Sequence, residues 1–207
     1  MSPSKPPNAP STTPPLGHSP RRVSMTPGAL RVRAAAAKLF YERGIHAVGV
    51  DLIATEAGVT KKTLYDRFGS KEQIVVEYLA ERDERWRVFL AEHLEAAGPG
   101  PADRILAVFD ASHAWSVEHS TKGCSMVKAH AEISDPAHPA YAIITGQKAW
   151  MLALFTDLTR VLAAPDPDHL ARTLLLLHEG ALVTHGLAVF PSPILHARAQ
   201  ARSLLPA

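Results

Sequence analysis

The sequence has little of what secreted, disulfide-linked or membrane-spanning proteins need. It contains one cysteine in 207 residues, Cys124, so no disulfide can form within the chain. Its apolar runs fall short of the roughly 18 uncharged residues that a transmembrane helix requires, and the N-terminus lacks the apolar core of a secretory signal. These absences favour a reducing compartment, and we expect a cytoplasmic protein without a membrane partner.

Acidic residues are missing from the first part of the chain, where none precedes Glu42. Between Arg21 and Lys71, ten Lys or Arg stand against four Asp or Glu, whereas residues 72–207 carry eleven Lys or Arg and sixteen Asp or Glu. A basic segment joined to an acidic one favours a polyanionic partner at one end of the protein. On charge alone, an ordinary solvated basic surface remains the alternative.

Residues 1–28 contain eight prolines and few large apolar groups. Such a segment buries too little surface to offset the entropy lost on ordering, so we predict a disordered tail. Two arginines near its end, Arg21 and Arg22, could enter a DNA minor groove as a basic arm or remain solvated.

From Ala29 onward, apolar residues recur at helical spacing and no segment alternates as a strand would. The pattern therefore predicts an all-α protein. After the helix that begins at Ala29, glycines and prolines divide the chain into predicted helices at about 50–57, 61–68, 70–97, 102–119, 124–134, 137–163, 167–189 and 193–205.

Two short predicted helices with a glycine between them give the clearest functional signal. Residues 50–57 end at Gly58, and Thr60 is a good N-cap for residues 61–68, which open with two lysines. A helix, a tight turn and a second helix with an exposed basic start form the helix-turn-helix arrangement, whose second helix enters the DNA major groove. The candidate DNA-binding residues are Thr60, Lys61, Lys62, Thr63, Tyr65, Arg67 and Lys71.

This stretch, 50-VDLIATEAGVTKKTLYDRFGSKEQIVVEYL-79, resembles the TetR family of transcriptional regulators. The resemblance covers residues 29–79, with one departure at Val50-Asp51, where Thr or Ser is common. The matching elements are Ile53-Ala54, Ala57-Gly58-Val59, Thr63-Leu64-Tyr65, Phe68 and Ser70-Lys71-Glu72.

The resemblance implies about nine helices, with a helix-turn-helix DNA-binding domain at residues 29–70 and a regulatory and dimerisation domain at residues 71–207. It also implies a homodimer that binds a palindromic operator in double-stranded DNA. We expect no cofactor. We expect a repressor that an unidentified small molecule releases from DNA. A constitutive regulator, or one controlled by a partner protein, is the alternative.

The second domain offers candidates for two further surfaces. A helical stripe of Leu170, Leu174, Leu177 and Ala181 is the candidate dimer interface. Aromatic, methionine and polar residues on facing helices would suit an apolar ligand with few polar contacts. These ligand-binding candidates are Phe89, Phe109, His113, Ser116, His130, Met151, Phe155 and His178.

Histidine and cysteine residues are also candidates for catalytic or metal-binding roles. His178 and His185 are two helical turns apart, too far to share an ion without other ligands, so we expect no metal site. Cys124, near a predicted helix start, is either a nucleophile or redox sensor or a small buried residue. Because no catalytic constellation accompanies these residues, we do not expect an enzyme.

Overall fold

The computed structural model describes residues 22–206. This part of the chain forms nine α-helices and no β-strand, which confirms the all-α fold. Within the same residues, no helix is long and apolar enough to cross a membrane. The helices are α1 (Pro27–Arg43), α2 (Val50–Ala57), α3 (Lys61–Phe68), α4 (Lys71–Ala96), α5 (Pro101–His119), α6 (Ser125–Glu132), α7 (Tyr141–Val161), α8 (Pro167–Leu187) and α9 (Pro193–Leu204).

Helix α4 joins two hydrophobic cores. Its first half packs with α1, α2 and α3 around Leu39 and Leu64, and α6 adds Met126 to this core. Its second half packs with α5, α7, α8 and α9 around Phe109 and Phe155. The predicted domain boundary therefore falls at the start of a helix that belongs to both cores, and α6 packs with the N-terminal helices.

Side-chain caps fix the starts of the two helices that follow the glycine turn. The Thr60 Oγ1 accepts a hydrogen bond of 3.1 Å from the Thr63 N–H, and the Ser70 Oγ accepts one of 3.2 Å from the Gln73 N–H. Both caps confirm the predicted helix starts. Helix α2, in contrast, begins after Gly49 without a side-chain cap, at the position where the sequence departs from the TetR pattern.

Residues 22–28 are packed against the rest of the protein, so the predicted tail was wrong for this segment. Glu77 of α4 is fully buried and accepts hydrogen bonds from Arg22 Nε at 2.9 Å and from the Val23 N–H at 2.5 Å. Helix α1 itself begins at Pro27. Local composition could not reveal a partner 55 residues away. Arg21 and the residues before it lie outside the described residues, where the disordered tail stays a prediction.

Candidate functional site

Helix α3 lies at the surface and presents the predicted basic residues to solvent. It buries Leu64 and Phe68, which anchor it to the N-terminal core, and its remaining residues are exposed. The structure thus brings Lys61 and Lys62 together in one exposed first turn. Lys71, also a predicted DNA-binding residue, is half-buried at the start of α4.

Each lysine in the first turn of α3 has an aspartate partner. The Lys61 Nζ lies 3.0 Å from Asp51 Oδ1, and the Lys62 Nζ lies 2.8 Å from Asp66 Oδ2. Hydrogen bonds to these carboxylates raise the pKa of both lysines. Because all four side chains are exposed, such pairs contribute little stability, and phosphate can replace the aspartate at small cost. Neither aspartate was predicted as a partner from the sequence, although Lys62 and Asp66 have the i, i+4 spacing of a helical ion pair.

Two other predicted residues have side chains without such partners. Tyr65 is 41% exposed, and Arg67 is exposed on the same helix. Neither side chain makes a hydrogen bond or ion pair with another residue between 22 and 206. The Thr60 hydroxyl, by contrast, is engaged with the backbone and hydroxyl of Thr63, so its structural role is to shape the start of α3.

The last turn of α6 holds the loop between α1 and α2. The Glu132 carboxylate accepts hydrogen bonds from the Ile45 N–H at 2.9 Å and from the His46 N–H at 2.6 Å. One turn earlier, the Lys128 Nζ donates to the Tyr41 carbonyl at 2.6 Å. Sequence reasoning missed these contacts, because the partners lie more than 80 residues apart.

Gly44 allows this close approach. Its φ of +91° lies in the region that favours glycine, and a Cβ added there would lie 3.1 Å from the Glu132 Oε1. Glycine is therefore required at position 44 for two reasons. Its φ is positive, and a side chain there would prevent the close contact between the end of α1 and α6.

A cavity of about 50 Å³ lies between α4, α5, α6, α7 and α8. The start of α6 forms one wall, while Glu132 at the other end of the same short helix contacts the α1–α2 loop. Aromatic and aliphatic side chains line it together with polar ones, among them Trp86, Trp115, Met126, Gln147, Lys148 and His178.

A chain of polar contacts runs along this cavity. The His178 ring bonds to Ser112 Oγ at 2.7 Å and to Glu179 Oε1 at 3.3 Å. The other Glu179 oxygen lies 2.7 Å from Lys148 Nζ, which lies 3.3 Å from Cys124 Sγ. Burial would raise the pKa of Glu179, but the hydrogen bond from His178 and the charge of Lys148 outweigh it and lower that pKa to about 2. Glu179 is therefore ionised at neutral pH.

The order Ser112, His178, Glu179 resembles the hydrogen-bond order of a serine hydrolase. The geometry does not support that chemistry, because the Ser112 hydroxyl donates a hydrogen bond of 2.8 Å to the Val108 carbonyl and not to His178. Both Ser112 and His178 are almost fully buried. The contact is therefore a satisfied polar pair inside the second core.

The structure assigns most of the predicted ligand-binding residues to other places. His178 lines the cavity. The remaining candidates do not, because a helical pattern cannot tell which apolar face meets a cavity and which meets the core. Phe109, Met151 and Phe155 fill the core, and Ser116 is buried and bonds to the His113 carbonyl. The His113 side chain is half-buried, Phe89 lies in an outer groove beside Trp115, and His130 is exposed.

The predicted dimer stripe faces the interior of its own chain. Leu174 and Ala181 are buried in the second core, and Leu170 and Leu177 pack against it. Leu174 and Ala181 are therefore not available as an interface between two copies, whereas Leu170 and Leu177 are half-buried, and their place in an interface stays a prediction. The outer face of α8 carries exposed apolar side chains instead, which are Leu176, Val183 and Leu187.

Comparison with known proteins supports the helix-turn-helix assignment. Residues 32–78 match the family model described as bacterial regulatory proteins, tetR family. The chain is similar to the crystal structure of a TetR-family transcriptional regulator from Streptomyces coelicolor, with 28% identity over 87% of this chain and 90% of that one and a TM-score of 0.79. A second similar structure, a TetR-type transcriptional regulator from Streptomyces avermitilis, has 30% identity over 86% of this chain and 98% of that one, with a TM-score of 0.68.

Among curated proteins, the chain is similar to the HTH-type transcriptional activator FasR from Mycolicibacterium smegmatis. The two are 28% identical over 102 residues, which is 49% of this chain and 46% of that protein. The chain thus spans less than half the length of the curated relatives it matches.

Proposed function

The chain belongs to the TetR family of bacterial regulatory proteins, and from this we propose that it is a sequence-specific DNA-binding transcriptional regulator whose α3 enters the major groove. The observation that carries the proposal is the first turn of α3, where Lys61, Lys62 and Thr63 are exposed above the buried Leu64. Lysine can donate to guanine O6 and N7 or to phosphate, and threonine offers a hydroxyl and a methyl group.

The regulator acts as a homodimer in this proposal. A single recognition helix buries too little surface for tight binding, whereas two helices related by a twofold axis can bind a palindrome. Leu176, Val183 and Leu187 support the outer face of α8 as the interface, because they are 74%, 42% and 69% exposed. Their spacing of seven and four residues places them on one side of the helix. An apolar surface of this kind is typical of contacts between subunits.

The regulator is further proposed to be a repressor that a small molecule releases. The cavity meets the start of α6 at Cys124 and Met126, and the end of α6 holds the loop at Ile45. An effector that prefers a displaced α6 would weaken DNA binding by its differential affinity for the two conformations.

The second candidate is a regulator without a small-molecule effector, constitutive or controlled by a partner protein. The cavity favours it, because about 50 Å³ has room for only about three to five water-sized groups. Operator binding that no small molecule alters would support this candidate.

The test begins with selection of bound sequences from random duplex DNA. The proposal expects enrichment of a palindrome whose half-sites lie about one helical turn apart, bound by two protomers as measured by light scattering. A reporter gene behind the enriched site then distinguishes repression from activation. Recovery of random sequences, in the presence of folded protein, would rule out the proposed function.

A further inference from the structure

Cys124 and Lys148 form a pair at the wall of the cavity, with 3.3 Å between Sγ and Nζ. Cys124 is the N-cap residue of α6, and its side chain is partly exposed. A thiolate, which is the nucleophilic form of cysteine, needs nearby positive charge. Here the ammonium of Lys148 and the positive end of the α6 dipole both supply it.

Lys148 is held in its charged form. Burial would lower the pKa of Lys148, but the neighbouring Cys124 sulfur and the Glu179 carboxylate outweigh burial and leave that pKa raised. The 2.7 Å contact with Glu179 also fixes the ammonium beside the cavity. The pair therefore combines a sulfur nucleophile with a proton donor in one place.

An unsatisfied amide points to an occupant of the same cavity. Gln147 lines the cavity and is 7% exposed, and its Oε1 has no hydrogen-bond partner among residues 22–206. A buried acceptor without a partner lowers stability unless a donor reaches it. A water or hydroxyl held in the cavity would satisfy this oxygen and could bridge to a carbonyl group of an occupant.

The size of the cavity limits how an occupant can be held. About 50 Å³ accommodates about three to five water-sized groups. Even the best ligands gain limited binding free energy per heavy atom, so a noncovalent ligand of four atoms reaches at best a dissociation constant on the order of 10⁻⁵ M. A covalent bond to the wall removes this limit.

We propose that Cys124 captures small soft electrophiles, namely α,β-unsaturated aldehydes and ketones, by conjugate addition inside this cavity. Trp86, Trp115 and Met126 enclose the carbon chain, and Lys148 faces the reacting sulfur.

The reaction is balanced without any oxidant or reductant. The Cys124 sulfur forms a bond to the β-carbon of the electrophile, and the carbon–carbon π bond breaks to give an enolate. The thiol proton of Cys124 leaves to solvent when the thiolate forms. The Lys148 ammonium hydrogen-bonds to the enolate oxygen, donates a proton to the α-carbon and then regains a proton from solvent. The product is a saturated thioether that keeps the carbonyl group.

The adduct changes the first turn of a helix that reaches the N-terminal domain. Cys124 precedes Ser125, the first residue of α6, and Glu132 at the other end of α6 holds Ile45 and His46. A thioether in the cavity must displace neighbouring side chains, because the interior has little spare volume. We expect the adduct to weaken operator binding, and this expectation rests on the proposed function.

The experiment measures adduct formation on the intact protein by mass spectrometry, with methyl vinyl ketone as the small probe and N-phenylmaleimide as the bulky one. Rates are divided by those of free glutathione. We expect one adduct on Cys124 and a relative rate for methyl vinyl ketone about tenfold or more above that for N-phenylmaleimide, since a cavity of about 50 Å³ favours the smaller molecule.

Variants separate the roles of the two residues. Cys124→Ser abolishes the adduct, and Lys148→Met slows its formation about tenfold by removing the adjacent positive charge. Lys148→Arg restores most of the rate, and Lys38→Met, at an exposed lysine on α1, leaves it unchanged. A thermal unfolding scan of each variant identifies loss of folding. If Lys148→Met is unfolded, Lys148→Gln replaces it, and a rate for Lys148→Gln equal to that of Lys38→Met would overturn the role of Lys148.

Operator binding is measured in parallel on treated and untreated protein. The proposal expects the adduct to lower operator affinity about tenfold and Cys124→Ser to bind the operator without responding to methyl vinyl ketone. A reaction no faster than that of glutathione, or no preference for the small probe, would overturn the capture. An adduct that leaves operator affinity unchanged would overturn its effect on DNA binding. Untreated protein that binds no DNA would instead overturn the proposed function, while the mass measurement still decides the capture site.

Discussion

The Glu132 carboxylate at the end of α6 accepts a hydrogen bond of 2.9 Å from the Ile45 N–H in the loop that follows α1. The other oxygen of the same carboxylate accepts a hydrogen bond from the His46 N–H. A side chain of α6, the helix whose start lines the cavity, thus fixes the backbone that leads into the helix-turn-helix. A displacement of α6 would therefore act on this loop through a direct contact.

Replacing Glu132 with alanine should loosen this loop. Two backbone N–H groups lose their acceptor, so we expect the free energy of unfolding to fall by about 1–3 kcal/mol. Urea denaturation measures the loss, and hydrogen exchange should speed up at the Ile45 and His46 amides. The matched control is Glu118→Ala, at an exposed glutamate of α5. Unchanged exchange at both amides would show that the Glu132 contact does not hold the loop.

Gly44 and Gly146 provide a matched pair of glycine substitutions. In Gly44→Ala the added Cβ lies 3.1 Å from Glu132 Oε1, and the φ of +91° is unfavourable for alanine. We therefore expect a loss of about 1–2 kcal/mol in the free energy of unfolding. Gly146→Ala lies inside α7 with no atom within 4 Å of the added Cβ, and we expect a gain of about 0.5–1 kcal/mol. Denaturation curves of the two variants should shift in opposite directions, and equal shifts would contradict the close approach at Gly44.

Glu179 should make the protein sensitive to acid. Its pKa of about 2 in the folded protein lies below its ordinary value of 4.5. The unfolded chain therefore binds the proton first, and the stability that Glu179 contributes is present above pH 4.5 and lost as the pH falls towards 2. Between pH 6 and pH 3 we expect the wild-type protein to lose about 2 kcal/mol more than Glu179→Gln does. Urea denaturation at several pH values checks this difference, with Glu92→Gln at an exposed position of α4 as the control. Parallel pH curves for wild type and Glu179→Gln would contradict the lowered pKa.

A charge on the outer face of α8 should separate the proposed dimer. Leu176→Asp places a carboxylate in the interface of each copy, so we expect the dimer dissociation constant to rise about a hundredfold or more. Sedimentation velocity measures the change. Val161→Asp, at a valine of α7 that is 71% exposed, should leave the dimer intact. A Leu176→Asp protein that remains dimeric at micromolar concentration would place the interface elsewhere.

Local signals in the sequence predicted the helix-turn-helix closely. Thr60 and Ser70 stand at the starts of α3 and α4, and Gly58 at the end of α2, because capping depends on residues within one turn of the helix end. Leu64 and Phe68 form the buried side of α3, and their i, i+4 spacing is the local pattern of such a side. These features needed no information from distant parts of the chain.

The sequence did not predict contacts between residues that are far apart in the chain. Leucines from Leu174 to Leu177 are consecutive, so α8 is apolar on several sides and periodicity could not separate its core face from its outer face. The Cys124–Lys148 pair joins residues that are 24 apart in the chain, and the Glu132–Ile45 contact joins residues that are 87 apart. Such pairings depend on how the helices pack, which local patterns do not specify.

The central claim, that α3 contacts DNA through its first turn, is tested most directly by the affinity of single variants for the selected operator. Fluorescence anisotropy compares Lys61→Ala, Lys62→Ala and Tyr65→Phe with Lys38→Ala, whose lysine forms a similarly exposed ion pair with Glu56 on α1 and α2. The account predicts a loss of about 1–3 kcal/mol in binding free energy for each α3 lysine variant and no loss for Lys38→Ala. Lysine variants of α3 that bind the operator as tightly as Lys38→Ala does would contradict it.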